Sequence, residues 1–142
     1  MRISIASDHA GFDLKEDLRQ HLSEKGHEVL DLGPTNSNRT DYPDYAKKVA
    51  LSVQHSEVER GVLVCGSGIG MCITANRFKG VRAVVLHDQY DAQMSRCHND
   101  ANLACFGSRV SDRSAVKELL DIFLTTSFEG GRHTPRVAKI EI

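Results

Sequence analysis

The sequence contains no segment that is typical of membrane insertion or secretion. No run approaches the roughly 20 consecutive apolar residues that a membrane-spanning helix needs. The first residues, MRISIASDHAGFD, do not resemble a signal peptide, because their apolar stretch is short and soon interrupted by charge. We therefore expect a protein of the reducing cytoplasm with no membrane partner.

Charge and cysteine patterns exclude further classes of function. The 142 residues carry 18 Lys and Arg against 19 Asp and Glu, which leaves no overall positive charge to hold nucleic acid. The four cysteines, at positions 65, 72, 97 and 105, form no C-x-x-C pair, so the sequence indicates neither a zinc site nor a dithiol redox site. We expect no metal and no cofactor. The length predicts one domain over residues 1–142.

Strand and helix patterns alternate along the whole chain. A helix is predicted from Leu14, Leu18 and Leu22, with Gly26 as its stop, and a second from Pro43 with Asp41 as N-cap. Further helices are expected to reach about 78, to cover 89–96, and to begin at Ser111 or Asp112. The predicted strands are 2–7, 27–32, 61–65, 81–86 and 102–106. This pattern predicts an α/β fold with a parallel sheet covered on both faces.

The residues that follow the first and third strands are the first candidates for a site, because such folds bind ligands beyond the carboxyl ends of their strands. The third strand runs into the glycine-rich stretch GVLVCGSGIG over 61–70, which reads as a strand, a tight turn and a helix start. Backbone N–H groups at such a turn attract anions, and a thiol there, Cys65, can be shifted toward thiolate. A buried structural cysteine is the alternative for Cys65, and we favour it for Cys72 and Cys105.

The glycine turn does not match the common phosphate-binding loops. A dinucleotide fingerprint needs a glycine at position 71, and a cysteine phosphatase loop needs an arginine there, whereas this chain has Met71. The Gly-Lys-Ser/Thr of a nucleotide triphosphate loop is also missing. The turn is therefore predicted to stabilise an oxyanion rather than to hold a nucleotide.

Three other groups of polar residues have both a structural and a functional interpretation. Asp8-His9, directly after the first strand, is either a helix cap or part of a site. His98-Asn99-Asp100 is either a turn or a cluster of functional side chains. A basic set near the C-terminus is either a solvated tail or a phosphate grip, since several arginine forks can converge on one phosphate; its members are Arg109, Arg132, His133 and Arg136.

Taken together, these elements resemble the ribose-5-phosphate isomerase B family, which includes relatives that act on allose 6-phosphate and galactose 6-phosphate. That family carries D-H-x-G-F, D-Y-P, C-G-[ST]-G-x-G, R-x-H-N-D-x-N, F-G-S-R and G-G-R-H-x-x-R in this order. The chain has the corresponding stretches at 8–12, 41–43, 65–70, 96–102, 106–109 and 130–136. The resemblance therefore covers essentially the whole chain.

The resemblance implies an aldose–ketose isomerase that works through an enediolate without a metal, in the non-oxidative branch of the pentose phosphate pathway. It implies that Cys65 moves the proton, that His98 opens the furanose ring, and that Ser67 holds a hydroxyl or assists the proton relay. A similar branch uses a glutamate from the helix after the loop, but the stretch 71–74 here, MCIT, offers no carboxylate. The implied substrate-binding residues are Asp8, His9, Tyr42, Gly66, Gly68, Ile69, Gly70, Asn99, Arg109, Arg132 and Arg136.

Within that set, the resemblance assigns the glycine-loop amides to the enediolate oxygen, Asp8 and Asn99 to sugar hydroxyls, and Tyr42 to the pocket wall. The phosphate would bind His9 and the three arginines. The family also implies a Rossmann-like three-layer fold with strand order 2-1-3-5-4, and a homodimer, sometimes paired into a tetramer, with sites built from two chains. The segment from about 127 to 142 is then expected to reach toward the partner. A six-carbon sugar phosphate, or a non-catalytic sugar-phosphate sensor, remains the alternative.

Overall fold

A computed structural model describes all residues, Met1–Ile142. Five parallel strands form one sheet in the order β2-β1-β3-β5-β4, which confirms the predicted fold. The strands are β1 Arg2–Ser7, β2 Glu28–Asp31, β3 Arg60–Cys65, β4 Ala83–Val85 and β5 Leu103–Gly107. The helices are α1 Phe12–Glu24, α2 Tyr42–Gln54, α3 Ile69–Ala75, α4 Gln89–Cys97, α5 Arg113–Thr125 and α6 Thr134–Ala138, with a 3-10 turn at Gly131–His133. No helix has the length and apolarity that a membrane span requires.

The central strand β3 is buried on both faces, and its side chains divide between two cores. Val62 and Val64 pack in the cluster that contains the apolar faces of α1 and α5. Leu63 and Cys65 pack in the other cluster, with residues of α2 and α3. Because successive strand residues point to opposite faces, this alternation directs the Cys65 side chain toward the layer formed by α2 and α3.

Helix ends follow the predicted signals with one exception. Gly26 has a φ of +86° just beyond α1, which is the left-handed conformation expected of a glycine after a helix. The Asp112 carboxylate accepts hydrogen bonds from the N–H groups of Ser114 and Ala115, so Asp112 rather than Ser111 caps α5. Asp41 occupies the N-cap position of α2, but its side chain accepts no capping bond there.

The third helix and the fourth strand are shorter than predicted, for a shared reason. Helix α3 ends at Ala75 instead of about Phe78, and β4 keeps three of the six residues expected of it. The Asn76 side chain pairs with the edge strand: its Nδ2 donates to the Ala83 carbonyl at 2.9 Å, and its Oδ1 accepts from the Ala83 N–H at 2.8 Å. This pairing provides hydrogen-bond partners for the Ala83 backbone at the exposed edge of β4, and it holds Asn76 just beyond the end of α3.

The direction of strand order reverses between β1 and β3, and this reversal opens a crevice at their carboxyl ends. Ser7 pairs with Val64, and the Asp8 N–H donates to the Val64 carbonyl at 3.2 Å. The chain that leaves β1 is thereby attached to the end of β3. Asp8 and Cys65 consequently meet at one edge of the sheet.

Candidate active site

A cavity of about 350 Å³ lies at the carboxyl ends of β1, β3 and β5. Its lining consists of Asp8, Tyr42, Cys65, Gly66, Ser67, Gly70, Arg109 and Val110. Seven of these eight lining residues are among the site residues predicted from the sequence. Val110 is the additional member, and it lies one residue beyond the F-G-S-R stretch.

Cys65 lines this cavity at the end of β3. Its side chain is only 4% exposed, and its Sγ accepts a hydrogen bond from the Gly68 N–H at 3.1 Å. This contact fixes the Sγ at the start of the glycine turn, where it faces the cavity.

The glycine turn after Cys65 keeps several backbone donors free. The Gly68 N–H is engaged by Cys65, and the Ile69 N–H donates to the Ser67 Oγ at 3.2 Å. The N–H groups of Gly66, Ser67 and Gly70 donate to no other protein group. Of the five turn amides nominated for an oxyanion, three are therefore available to a ligand.

Two glycines in this turn leave little space for a side chain, and one of them, Gly68, also has a backbone conformation that favours glycine. Gly68 has a φ of +79°, and a Cβ there would lie 3.1 Å from the Phe106 carbonyl carbon. A Cβ at Gly70 would lie 2.7 Å from two ring carbons of Tyr42. The Tyr42 ring therefore rests directly on the turn and forms one wall of the cavity, as its assignment to the sugar pocket requires.

Arg109 and Asp8 are fixed to the backbone beside Cys65. The Arg109 N–H donates to the Gly66 carbonyl at 3.0 Å, and a Cβ at Gly66 would lie 3.1 Å from the Arg109 Nη1. The Asp8 side chain is 7% exposed, and its Oδ1 accepts from the Gly11 N–H at 3.0 Å. The N-cap of α1 is Gly11 and not Asp8, so Asp8 holds the turn before the helix rather than capping it, and it contributes a carboxylate to the cavity wall.

His9 follows Asp8 but is not part of the cavity lining. Its Nδ1 lies 3.2 Å from the Thr40 carbonyl oxygen and 3.3 Å from the Thr40 nitrogen. These contacts hold the half-buried ring against the loop that precedes α2. The imidazole is therefore placed next to the cavity, and its Nε2 makes no hydrogen bond with the protein.

The remaining nominated residues lie elsewhere in the chain. His98 and Asn99 connect α4 to the start of β5, at the amino edge of the sheet, whereas Cys65 ends β3 at the carboxyl edge. Five residues of β5 separate these edges, a span of about 17 Å. Asn99 lines a different cavity of about 260 Å³, and Arg132 and Arg136 are exposed in the last segment of the chain.

A second polar cluster surrounds His98. The His98 and His133 rings are stacked, with centroids 4.3 Å apart and an interplanar angle of 15°. His133 is 5% exposed, and burial lowers its pKa, with smaller contributions in the same direction from His98 and Arg132. Sequence reasoning placed His133 only in a general basic set. The glycine pair before it was the available signal of a shaped turn.

The turn that carries His98 is held by an ion network. Asp100 has a left-handed φ of +47°, and its carboxylate accepts from Arg96 Nη1 at 2.7 Å and from Arg82 Nη2 at 3.3 Å. Arg96 is itself 3% exposed. These arginines compensate the Asp100 charge and stabilise a backbone conformation that few residues other than glycine adopt.

The other two cysteines near the site have a structural placement, as predicted. Cys105 is fully buried in the core, and this burial raises the pKa of its thiol. Cys72 is half-buried on α3, and a hydrogen bond with Cys105 is the main cause that lowers its pKa. Neither residue lines the cavity that contains Cys65.

Comparisons with known proteins agree with this arrangement. Residues 3–140 match the family model described as Ribose/Galactose Isomerase. Ribose-5-phosphate isomerase B of Escherichia coli K12 is 50% identical over 139 residues, which cover 98% of this chain and 93% of that protein.

Two solved structures show the same likeness in three dimensions. Ribose-5-phosphate isomerase B of Clostridium thermocellum superposes with a TM-score of 0.97 at 44% identity, covering 99% of this chain and 95% of that one. The Mycoplasma genitalium protein of the same name, with bound ribulose-5-phosphate, gives a TM-score of 0.93 at 42% identity and covers 98% and 93% of the two chains.

Proposed function

The chain belongs to the ribose/galactose isomerase family, and on that premise we propose that it interconverts ribose 5-phosphate and ribulose 5-phosphate. The single observation that carries this proposal is the shared cavity of Cys65, Ser67, Asp8 and Arg109, in a chain closely similar to an isomerase with bound ribulose-5-phosphate. The reaction belongs to the non-oxidative branch of the pentose phosphate pathway. Its proposed steps are proton transfers that the side chains and backbone N–H groups of the cavity can serve.

Cys65 is proposed as the base that moves hydrogen between the two carbons. Its thiolate removes the proton from C2 of the open-chain aldose, and the electron pair of that C–H bond forms the enediolate double bond. The electron pair of the C1 carbonyl moves to the C1 oxygen. The thiol, whose proton can exchange with water, then returns a proton to C1, while a proton passes from the C2 oxygen to the C1 oxygen. Ser67 beside Cys65 is suited to hold a hydroxyl or to assist that second transfer.

The free N–H groups of the glycine turn are proposed to stabilise the enediolate oxygen. Gly66, Ser67 and Gly70 offer donors that the protein does not use, next to the base. Losing one such donor in other enzymes costs about 2.7–4 kcal/mol of transition-state stabilisation. The turn can therefore contribute as much to the rate as the base itself.

A complete site requires a second copy of the chain. His98 and Asn99 lie at the opposite sheet edge from Cys65, so a single chain cannot bring them to the same sugar. We propose a homodimer, or a tetramer of paired dimers, in which the partner contributes its own His98, Asn99, Arg132 and Arg136. Ile69 and Ile73 on α3 are 55% and 63% exposed, and they offer apolar surface for an interface beside the cavity.

In this arrangement the phosphate is held by His9 and Arg109 of one chain and by the arginines of the other. Asp8 and Asn99 hold sugar hydroxyls from the two sides. The segment 127–142 contributes the arginines to the partner while its own chain keeps it in place, because the Glu129 N–H donates to the Cys97 carbonyl at 3.1 Å.

Mixed oligomers test the two-chain site. Cys65→Ala and His98→Asn variants should each lose most activity, yet a refolded equal mixture should recover about a quarter of the wild-type value, because each heterodimer contains one intact site. If both residues served one site within a single chain, no activity would return on mixing.

A coupled isomerase assay tests the reaction itself. The wild type should convert ribose 5-phosphate, and Cys65→Ala should lose at least the roughly 10²-fold that a general base contributes. Unchanged turnover in Cys65→Ala would exclude the base assignment. Faster turnover of allose 6-phosphate or galactose 6-phosphate would favour a six-carbon substrate, which needs only a slightly longer pocket. Absence of turnover on all three would favour a sugar-phosphate sensor.

A further inference from the structure

The His98 ring rests on another imidazole that no step above uses. His133 lies 4.3 Å from it, centroid to centroid, with the planes 15° apart. The face of one ring therefore covers the face of the other. Rotation of the His98 side chain would break this contact, so the stack restricts the plane in which its nitrogens can lie.

Backbone hydrogen bonds and two glycines position His133 against the His98 ring. The Glu129 N–H donates to the Cys97 carbonyl at 3.1 Å, which attaches the segment to the end of α4 directly before His98. Gly130 and Gly131 have φ values of +68° and +55°, which side chains rarely adopt. The His133 N–H then donates to the Gly130 carbonyl at 3.0 Å and closes the turn.

His133 makes no specific polar contact that would explain its burial. Its side chain is 6% exposed, and its Nε2 has no hydrogen-bond partner. Glu129 Oε2 lies 3.5 Å from that nitrogen, and the Glu129 side chain is itself 53% exposed. Burial and the positive neighbours lower the pKa of His133, while Glu129 opposes this effect.

Metal binding is a poorer explanation of this cluster. The ligand atoms of His98, Glu129 and His133 lie within 4.8 Å of one another. An imidazole binds a metal in its own ring plane, and two nearly parallel stacked planes do not meet at one ion. The contact between the stacked rings of His98 and His133 is therefore the feature that a functional explanation must address.

We propose that His133 is a positioning residue that holds the His98 imidazole in the orientation needed to open the furanose ring. This inference rests on the proposed function, and it adds a residue to one step of it. Ring opening moves a proton at the ring oxygen, so the direction of the His98 nitrogens decides whether that proton can be transferred. A misplacement of about 1 Å in a catalytic group can cost about 10²-fold.

Ribulose 5-phosphate allows ring opening to be separated from carbon chemistry. Its C5 oxygen carries the phosphate, so it cannot close to a furanose, and its C1 hydrogen can exchange with D₂O through the enediolate without His98. We expect His133→Ala to lower turnover of ribose 5-phosphate by about 10- to 100-fold. Deuterium incorporation into ribulose 5-phosphate, measured by NMR, should stay within about twofold of wild type.

His133→Phe is the matched variant, because it keeps a flat ring for stacking and removes both nitrogens. It should retain most of the turnover that His133→Ala loses. The upfield ring-current shift of the His98 ring protons should persist in His133→Phe and disappear in His133→Ala. Thermal melting of both variants checks that each is folded.

Several results would overturn the proposal. Equal losses of turnover and exchange in His133→Ala would show a role in substrate binding, and no loss of either would show no role. A His133→Phe variant as slow as His133→Ala would refute stacking as the cause. Failure of the proposed function is distinguishable, because Cys65→Ala would then leave the exchange reaction intact.

Discussion

Replacing Gly68 by alanine tests whether the glycine turn does more than connect β3 to α3. Gly68 has a φ of +79°, and its N–H donates to the Cys65 Sγ at 3.1 Å. A Cβ at this position would lie 3.1 Å from the Phe106 carbonyl carbon and 3.2 Å from Val85 Cγ1. The variant therefore combines an unfavourable backbone conformation with pressure against the end of β5.

The two effects have different magnitudes and different readouts. A left-handed conformation costs an alanine about 1–2 kcal/mol, which corresponds to a fall of roughly 3–8 °C in Tm for a domain of this size. Relief of the close contacts requires the loop to move by a few tenths of an ångström, which weakens the N–H bond to sulfur. Hydrogen bonds to charged groups are worth about 1.5–3 kcal/mol, so kcat should fall by about 10- to 100-fold.

Gly80→Ala is the matched control for Gly68→Ala. Gly80 has a φ of +78°, but a Cβ there meets no atom within 4 Å, and the residue lies outside the cavity. Gly80→Ala should lose the stability that the left-handed conformation costs, and Gly68→Ala should lose at least as much, while only Gly68→Ala should lose kcat and react more slowly with iodoacetamide at Cys65. Equal kcat values in the two variants would refute the reasoning that the Gly68 N–H prepares the thiol.

Three further predictions concern other parts of the structure. Asp100→Asn leaves the buried Arg96 without its charge partner, so urea unfolding should show a loss of stability between about 1 kcal/mol and the 3–5 kcal/mol of fully buried pairs. Lys25→Met removes a half-exposed pair with Asp121 and should change stability by less than about 1 kcal/mol. A larger loss in Lys25→Met than in Asp100→Asn would contradict this reasoning. Burial alone would raise the pKa of Asp121, but hydrogen bonds from Lys25 and His21 outweigh it and hold the pKa below its ordinary value of about 3.9. The stability that the Asp121 carboxylate adds is therefore present above about pH 4 and is lost as the pH falls through the lower pKa of the folded state. The difference in unfolding free energy between wild type and Asp121→Asn should accordingly shrink below about pH 4, and a constant difference would show that the charge of the carboxylate is not its cause. Arg136→Ala should raise KM chiefly for phosphorylated sugars in the coupled assay, and an unchanged KM would exclude its role in phosphate binding.

The carboxyl-edge half of the site could be predicted because parallel topology alone determines it. Once β1 and β3 are neighbours, Asp8 and Cys65 must follow strands that end at the same edge. The same rule of parallel topology also predicts the position of His98, which the sequence motif alone does not. A residue between a helix and the next strand lies at the amino edge, so alternation itself separates His98 from Cys65.

Contacts that depend on distant parts of the chain were not predictable in this way. The stack of His133 on His98 requires the last segment to fold back on α4, and only the glycine pair hinted at a turn. Lys15 reads as a surface residue of a helix, yet its fully buried Nζ donates to both carboxylate oxygens of Asp31, each at 3.0 Å. The position of Asp31 beside α1, set by strand pairing, makes that burial possible.

The two polar clusters lie at opposite edges of the sheet, and under the proposed two-chain site this separation would make activity depend on protein concentration. If each site needs one edge from each of two chains, a dissociated subunit is folded but idle, and its cavity lacks the groups that open the ring and complete the phosphate grip. Total activity would then rise with the square of the protein concentration well below the dissociation constant and become proportional to that concentration well above it, so activity per molecule would rise and then level off. A cell could therefore set a threshold for this reaction through the amount of protein alone.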